Sequence, residues 1–172
     1  MKKKYFVPCF LLSCLMATAL FLRALHSLGY RVNLSESLPG HLYRAYPLKE
    51  GDVLEPGDNV LIDLSRFHNP IVELGIKRGY VSRSRKMLKE IGAVPGDLVA
   101  LRDNLLYVNG RPTLMIVSPE DSLGGKLLPY PTPLILPQDC YWLVSVPDGG
   151  FDSRYFGPID RSAFTHKAFR VF

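Results

Sequence analysis

Between Tyr5 and Leu22 the chain runs for eighteen residues without a charge, with Lys2, Lys3 and Lys4 ahead of the run and Arg23 behind it. As a helix rising about 1.5 Å per residue, such a run covers roughly 27 Å, close to the roughly 30 Å hydrocarbon core of a bilayer. Three lysines before the span and one arginine after it orient the N-terminus to the cytoplasm and everything downstream to the outside. The same run admits two other fates: Ala17-Thr18-Ala19 is a small-x-small site for cleavage after Ala19, and Leu11-Leu12-Ser13 before Cys14 has the form of a lipidation signal. In all three cases the globular part leaves the cytoplasm. We therefore divide the chain into a membrane anchor or signal segment, residues 1–24, and a periplasmic domain, residues 25–172.

The charge balance narrows the partners. Lys and Arg number 21 against 16 Asp and Glu, a net +5. Setting aside Lys2, Lys3, Lys4 and Arg23 leaves 17 against 16, so the domain is nearly neutral and carries no nucleic-acid-tracking surface. Cys9 and Cys14 lie in the apolar run and Cys140 stands alone in the rest, which excludes a disulfide-stapled scaffold and a Cys-rich zinc site. His26, His41, His68 and His166 are scattered without ligand spacing, and there is no His-Glu-x-x-His, Gly-x-Ser-x-Gly or phosphate-binding glycine loop. The sequence calls for no cofactor and no metal.

From about Tyr30 onward, Gly and Pro punctuate the chain every several residues: Pro39-Gly40, Pro56-Gly57-Asp58, Asn69-Pro70, Pro95-Gly96-Asp97, Asn109-Gly110. Short β-branched and aliphatic runs lie between them, the pattern of a mainly β, antiparallel domain. Strands are expected at Val60–Leu64 and Cys140–Val146, with a hairpin pairing Leu98–Leu101 with Leu105–Val108 through Arg102-Asp103-Asn104. Gly75 to Lys86 and Glu120 to Pro137 read as surface excursions.

Three segments carry chemistry. The first is Asn33-Leu34-Ser35-Glu36-Ser37-Leu38-Pro39-Gly40-His41-Leu42-Tyr43, which alone reads equally as a polar turn ending in Pro-Gly. The second is Lys89-Glu90-Ile91-Gly92-Ala93-Val94-Pro95-Gly96-Asp97, and the third Phe151-Asp152-Ser153-Arg154-Tyr155-Phe156-Gly157-Pro158. Taken in this order, from about Tyr30 to Phe172, they resemble the boxes of the type I signal peptidases, and more closely the TraF branch that matures pilin subunits of conjugative plasmids.

The resemblance implies a signal-peptidase-like antiparallel β domain behind one transmembrane helix, in a bacterial inner membrane. It implies Ser37 as nucleophile, Lys89 as general base, the Ser37 N–H with Ser35 as oxyanion hole, and Asp152, Ser153 and Arg154 as catalytic support. Many relatives carry a serine two residues before the box aspartate to hold the lysine, whereas this chain has Gly150 there. Ser145, Ser153 or a water is left to replace it. The family's substrates bind as an added β-strand with small residues at the cut, for which Leu38 and Tyr43 are expected as wall residues.

The residue types suit the task. A serine hydroxyl needs a base within hydrogen-bond reach. A free lysine, with a pKa of about 10.4, is charged at neutral pH, and burial is what lowers it. On a strand, Met87, Lys89 and Ile91 share one face, so Lys89 sits between apolar neighbours, with Lys86 on the opposite face. On a helix over Ser82 to Ile91, which propensity also allows, Lys89 is solvated. The resemblance favours the strand.

The expected activity is a membrane-bound serine endopeptidase acting on a membrane-inserted precursor, a propilin, with the acyl-enzyme passing to water or to the pilin's own amine. The alternatives are a general signal peptidase removing secretory leaders and a non-catalytic anchored component of a transfer pore. A repressor-type autoprotease also pairs serine with lysine, but needs a DNA-binding head where this chain has the apolar run.

Overall fold

The apolar run forms helix α1 (Phe6–Ser27). Its residues Val7–Ser27, with a mean hydropathy of 1.9, are long and apolar enough to cross a membrane. Apolar side chains such as Leu15 and Leu20 are exposed on every side, which is compatible with a membrane anchor. The computed structural model describes residues 6–34, 37–82, 86–116, 118–120, 124–145 and 150–172.

Gly29 turns the chain from helix to sheet. Its φ of +89° is left-handed, its N–H closes on His26 O at 3.1 Å, and its carbonyl accepts from Ala45 N at 2.9 Å. A Cβ at Gly29 would collide with the Ala45 carbonyl oxygen. Strand β1 (Tyr30–Val32) follows at once and pairs with β2 (Leu42–Pro47).

Next come β3 (Asn59–Asp63), α2 (Pro70–Lys77), β4 (Lys86–Ala93), β5 (Leu98–Arg102), β6 (Leu105–Val108), β7 (Arg111–Ile116), β8 (Leu134–Ile135), β9 (Cys140–Val144), α3 (Ser153–Phe156), β10 (Ile159–Asp160) and β11 (Phe164–Arg170). Among the described residues these strands form two antiparallel sheets. The larger has the order β1-β2-β11-β3-β4-β9-β10 and the smaller β7-β6-β5-β8. The C-terminal β11 is inserted between β2 and β3, so the first and last parts of the domain are stitched together.

The hairpin forms as the sequence indicates, with the turn shortened to Asp103-Asn104. Both residues have positive φ, 49° and 61°, and Arg102 pairs with Leu105, the geometry of a two-residue primed turn. The β3 strand stops at Asp63, because Asp63 caps a 3-10 turn over Leu64–Arg66 by accepting from Ser65 N.

Two expectations need correction. The stretch from Gly75 begins inside α2, where Asn69 caps the N-terminus by accepting from the N–H groups of Ile71 and Val72, Pro70 stands in the first turn, and Val72 and Gly75 are buried. The Glu120 to Pro137 stretch is not wholly superficial either. Leu127 and Leu136 are buried, Tyr130 packs edge-on against Trp142, and β8 extends the smaller sheet.

Alternation along β9 joins two cores. Tyr141 and Leu143 face the main core with Val60, Ile62, Ile91 and the α3 residues Tyr155 and Phe156. Trp142 and Val144 face a second core with Val99, Leu106 and Leu136 from the smaller sheet. A third cluster, Leu38, Tyr43, Ala45, Leu61 and Ala168, lies at the β2-β11-β3 end.

The joint at Gly29 combines a left-handed backbone with a blocked Cβ. Gly29→Ala is expected to lower stability by about 2 kcal/mol or more. Gly57→Ala, at a φ of +92° with open space around it, should lose only the conformational part. Thermal melts of the two variants in detergent check the difference.

Candidate active site

Strand β4 decides the state of Lys89. Its burial alternates strictly from Lys86 to Ala93, with Met87, Lys89, Ile91 and Ala93 inward. Val60 pairs with Lys89 from β3, and on the other flank Glu90 pairs with Val144 and Ile91 with Leu143. Continuing that register by one residue sets Ser145 opposite Lys89. The Lys89 Nζ donates to Ser145 Oγ in a very short hydrogen bond. Lys89 is only 4% exposed, and Ser145 is fully buried.

Burial is the largest influence on the amine and pulls its pKa down from 10.5 to about 8. Asp152 opposes the shift and Arg154 reinforces it. The rival Lys86 is exposed at the start of the strand.

Asp152 and Arg154 form a buried ion pair, both side chains at 0% exposure. Arg154 donates from Nε to Asp152 Oδ1 at 2.8 Å and from Nη2 to Oδ2 at 2.7 Å, a two-pronged contact. The pair does not arise from alternation on an extended segment. Asp152 is the N-cap of the short helix α3, and Arg154 lies within that helix.

The same box secures the edge of β9 beyond its short pairing with β10. Asp152 Oδ2 accepts from Ser145 N at 2.8 Å, and Ser153 Oγ accepts from Leu143 N at 2.9 Å. These N–H groups point away from β4 and would otherwise be buried without partners. Ser145 rather than Ser153 thus holds the lysine, because Ser153 is engaged one step along the strand.

The Ser37 segment is fixed from Asn33, a support the sequence reading did not single out. Buried Asn33 donates from Nδ2 to the carbonyls of Leu38 and Gly40, both at 3.1 Å, and its N–H bonds to His41 O at 2.8 Å. Ser37 is half-buried in the turn between. Ser35 lies outside the described residues. Leu38 and Tyr43 are both buried, and the Tyr43 hydroxyl donates to the Pro39 carbonyl in a very short bond. Leu38 shares its cluster with Leu61 and Leu88, a cross-strand pair one step from Lys89. Leu38 therefore packs onto β3 and β4, on the face of the sheet that carries Leu61 and Leu88.

His26, His41 and His68 are exposed, and His166 lies half-buried on β11. Among the described residues no group of three or more His, Cys, Asp or Glu is placed to hold a metal ion.

The signal peptidase family, peptidase S26, matches residues 3–172. The chain belongs to this family. Membership brings serine peptidase chemistry and a precursor protein as substrate. The conjugal transfer protein TraF of Agrobacterium fabrum is 32% identical over 151 residues, 84% of this chain and 82% of that protein. The probable conjugal transfer protein TraF of Sinorhizobium fredii is 30% identical over 138 residues, 76% of this chain and 70% of that protein. The crystal structure of a signal peptidase I from Enterococcus faecalis is 20% identical, covers 66% of this chain and 94% of its own, and superposes with a TM-score of 0.38.

Two stability measurements follow from this geometry. Below pH 8 both folded and unfolded states carry the Lys89 ammonium, and the folded state bears its desolvation, about 3 kcal/mol for the shift from 10.5 to about 8. Between pH 8 and 10.5 the unfolded state holds a proton that the folded state has released, so stability rises with pH, and above that range the penalty is gone. Lys89→Met should therefore be more stable than the parent by about 2 to 3 kcal/mol at pH 7, with the gap closing across that window. Asp152→Ala should lose about 3 to 5 kcal/mol, because Arg154 stays buried without its partner. Denaturant titrations over the pH range check the first and a thermal melt checks the second.

Proposed function

We propose that this chain is a membrane-bound serine endopeptidase that processes the precursor of a conjugative pilin subunit, with Ser37 as nucleophile and Lys89 as general base. The observation that carries the reading is the buried Lys89 amine, lowered to about 8 and held at Ser145. The similarity to the TraF proteins of Agrobacterium and Sinorhizobium supports the conjugative setting.

Residues 1–24 anchor the enzyme in the inner membrane, and residues 25–172 form the catalytic domain in the periplasm, an orientation supported by Lys2, Lys3 and Lys4 ahead of the span. The substrate is a propilin whose cut site lies close to the same bilayer.

In this reading the neutral Lys89 amine takes the proton from Ser37 Oγ as the oxygen attacks the scissile carbonyl. The tetrahedral oxyanion is met by the Ser37 N–H and by Ser35. Collapse breaks the C–N bond, the Lys89 ammonium gives the proton it took from Ser37 to the departing amine, and an acyl ester remains on Ser37. Water, or the pilin's own amino terminus, then attacks that ester while Lys89 again accepts the proton; the acyl–oxygen bond breaks, and Lys89 returns that proton to Ser37 Oγ. Asp152, Ser153 and Arg154 hold the edge of β9 that faces away from β4, and with it Ser145. Leu38 and Tyr43, buried under the loop, form the floor of the wall that faces a small residue at the cut.

Ser37→Ala and Lys89→Ala should each lower propilin cleavage by about 10³-fold or more while leaving a folded, membrane-inserted protein. The parent rate should rise with pH along one limb near 8 and level off above it. Cleavage of a propilin precursor in proteoliposomes measures both. A Ser37→Ala protein that still cuts overturns the nucleophile, and a limb that persists in Lys89→Ala overturns the base.

A further inference from the structure

Strand β9 ends at Val144, and Ser145 follows at the position that the β4 register sets opposite Lys89. Its backbone is held by Asp152 Oδ2 at 2.8 Å and its hydroxyl accepts from Lys89 Nζ. Against the same side chain lies the backbone of Gly150, whose carbonyl accepts from Arg154 Nη2 at 3.2 Å. A Cβ built on Gly150 would come within 2.6 Å of Ser145 Oγ and closer still to Ser145 Cβ. Position 150 therefore has no room for a side chain beside Ser145.

Two chain positions thus address one small volume beside the amine, and only one of them can bear a side chain. We propose that Ser145 is the positioning residue of Lys89 and that Gly150 is its steric complement, so that the hydroxyl orienting the amine is supplied from position 145 or from position 150, never from both. The catalytic sense of this proposal rests on Lys89 being the general base. One N–H of the amine is committed to Ser145 Oγ, which fixes the direction of the remaining nitrogen valences. Because the oxygen accepts more strongly from an ammonium than from an amine, the bond also opposes the fall in basicity that burial imposes.

The test uses the full chain in proteoliposomes with the propilin precursor, together with the pH dependence of unfolding measured against Lys89→Met, which reports Lys89 titration without catalysis. Ser145→Ala should fold, lose about 10- to 100-fold in rate with KM little changed, and move both the rate limb and the stability limb about one pH unit lower. Gly150→Ser alone should lower the melting midpoint. The exchanged pair Ser145→Gly with Gly150→Ser should bring rate and limb back to within about fivefold and half a unit of the parent.

Ser145→Ala with an unchanged rate and unchanged limbs overturns the proposal. So does an exchanged pair that melts with the parent yet stays as slow as Ser145→Ala. If instead Lys89→Ala still cleaves, the base reading fails; a stability limb that moves in Ser145→Ala and returns in the exchanged pair would then still support Ser145 as the residue holding Lys89.

Discussion

The carboxylate of Asp152 accepts four hydrogen bonds in a site without solvent: Oδ1 from Arg154 N and Nε, and Oδ2 from Ser145 N and Arg154 Nη2. A buried carboxylate with fewer donors would be costly, and a buried guanidinium without a carboxylate equally so. Together they form a neutral, nearly saturated unit at the point where β9, the 150–154 segment and Lys89 meet. The pair fixes Ser145, Ser145 faces Lys89, and the register of β3, β4 and β9 supplies the apolar walls.

Much of this was legible in the sequence because it is local. Alternation along Met87, Lys89 and Ile91 is visible in one strand, and the Asp103-Asn104 turn is written in two residues of the kind that tolerate positive φ. Other parts were not legible because they depend on pairing between distant segments. That Ser145 rather than Ser153 meets the lysine follows from the β4–β9 register, between partners 56 positions apart. The helix α2 is only eight residues, and its capping pair Asn69-Pro70 has the composition of a turn. Asn33 looked like an ordinary loop polar residue until the carbonyls of Leu38 and Gly40 came to lie around it.

Helix α1 and the Ser37 loop are linked by a short path. Helix α1 ends at Ser27, and Ser37 is ten residues further on, so even a fully extended chain could carry it only about 35 Å from the helix end. The path is much less free than that. Gly29 is bonded to Ala45, β1 is paired with β2, and Asn33 ties the loop to its own far side. With α1 in a bilayer, the loop would be confined near the membrane surface.

Arg154 also explains how an acid can stand beside a lysine whose pKa is lowered. A lone carboxylate at Asp152 would favour the Lys89 ammonium and offset the effect of burial. With Arg154 bonded through both prongs, the field of the carboxylate at Lys89 is opposed by a positive charge, and desolvation remains the largest influence, leaving the amine at about 8. The guanidinium is suited to this because it keeps its proton in any protein environment and so cannot itself become the base. The aspartate is then free to act through geometry, holding the Ser145 N–H, while its charge is spent on Arg154. A lysine in place of Arg154 would introduce a second buried amine competing for the same proton, so the division of labour between one fixed cation and one titrating amine follows from the chemistry of the two side chains.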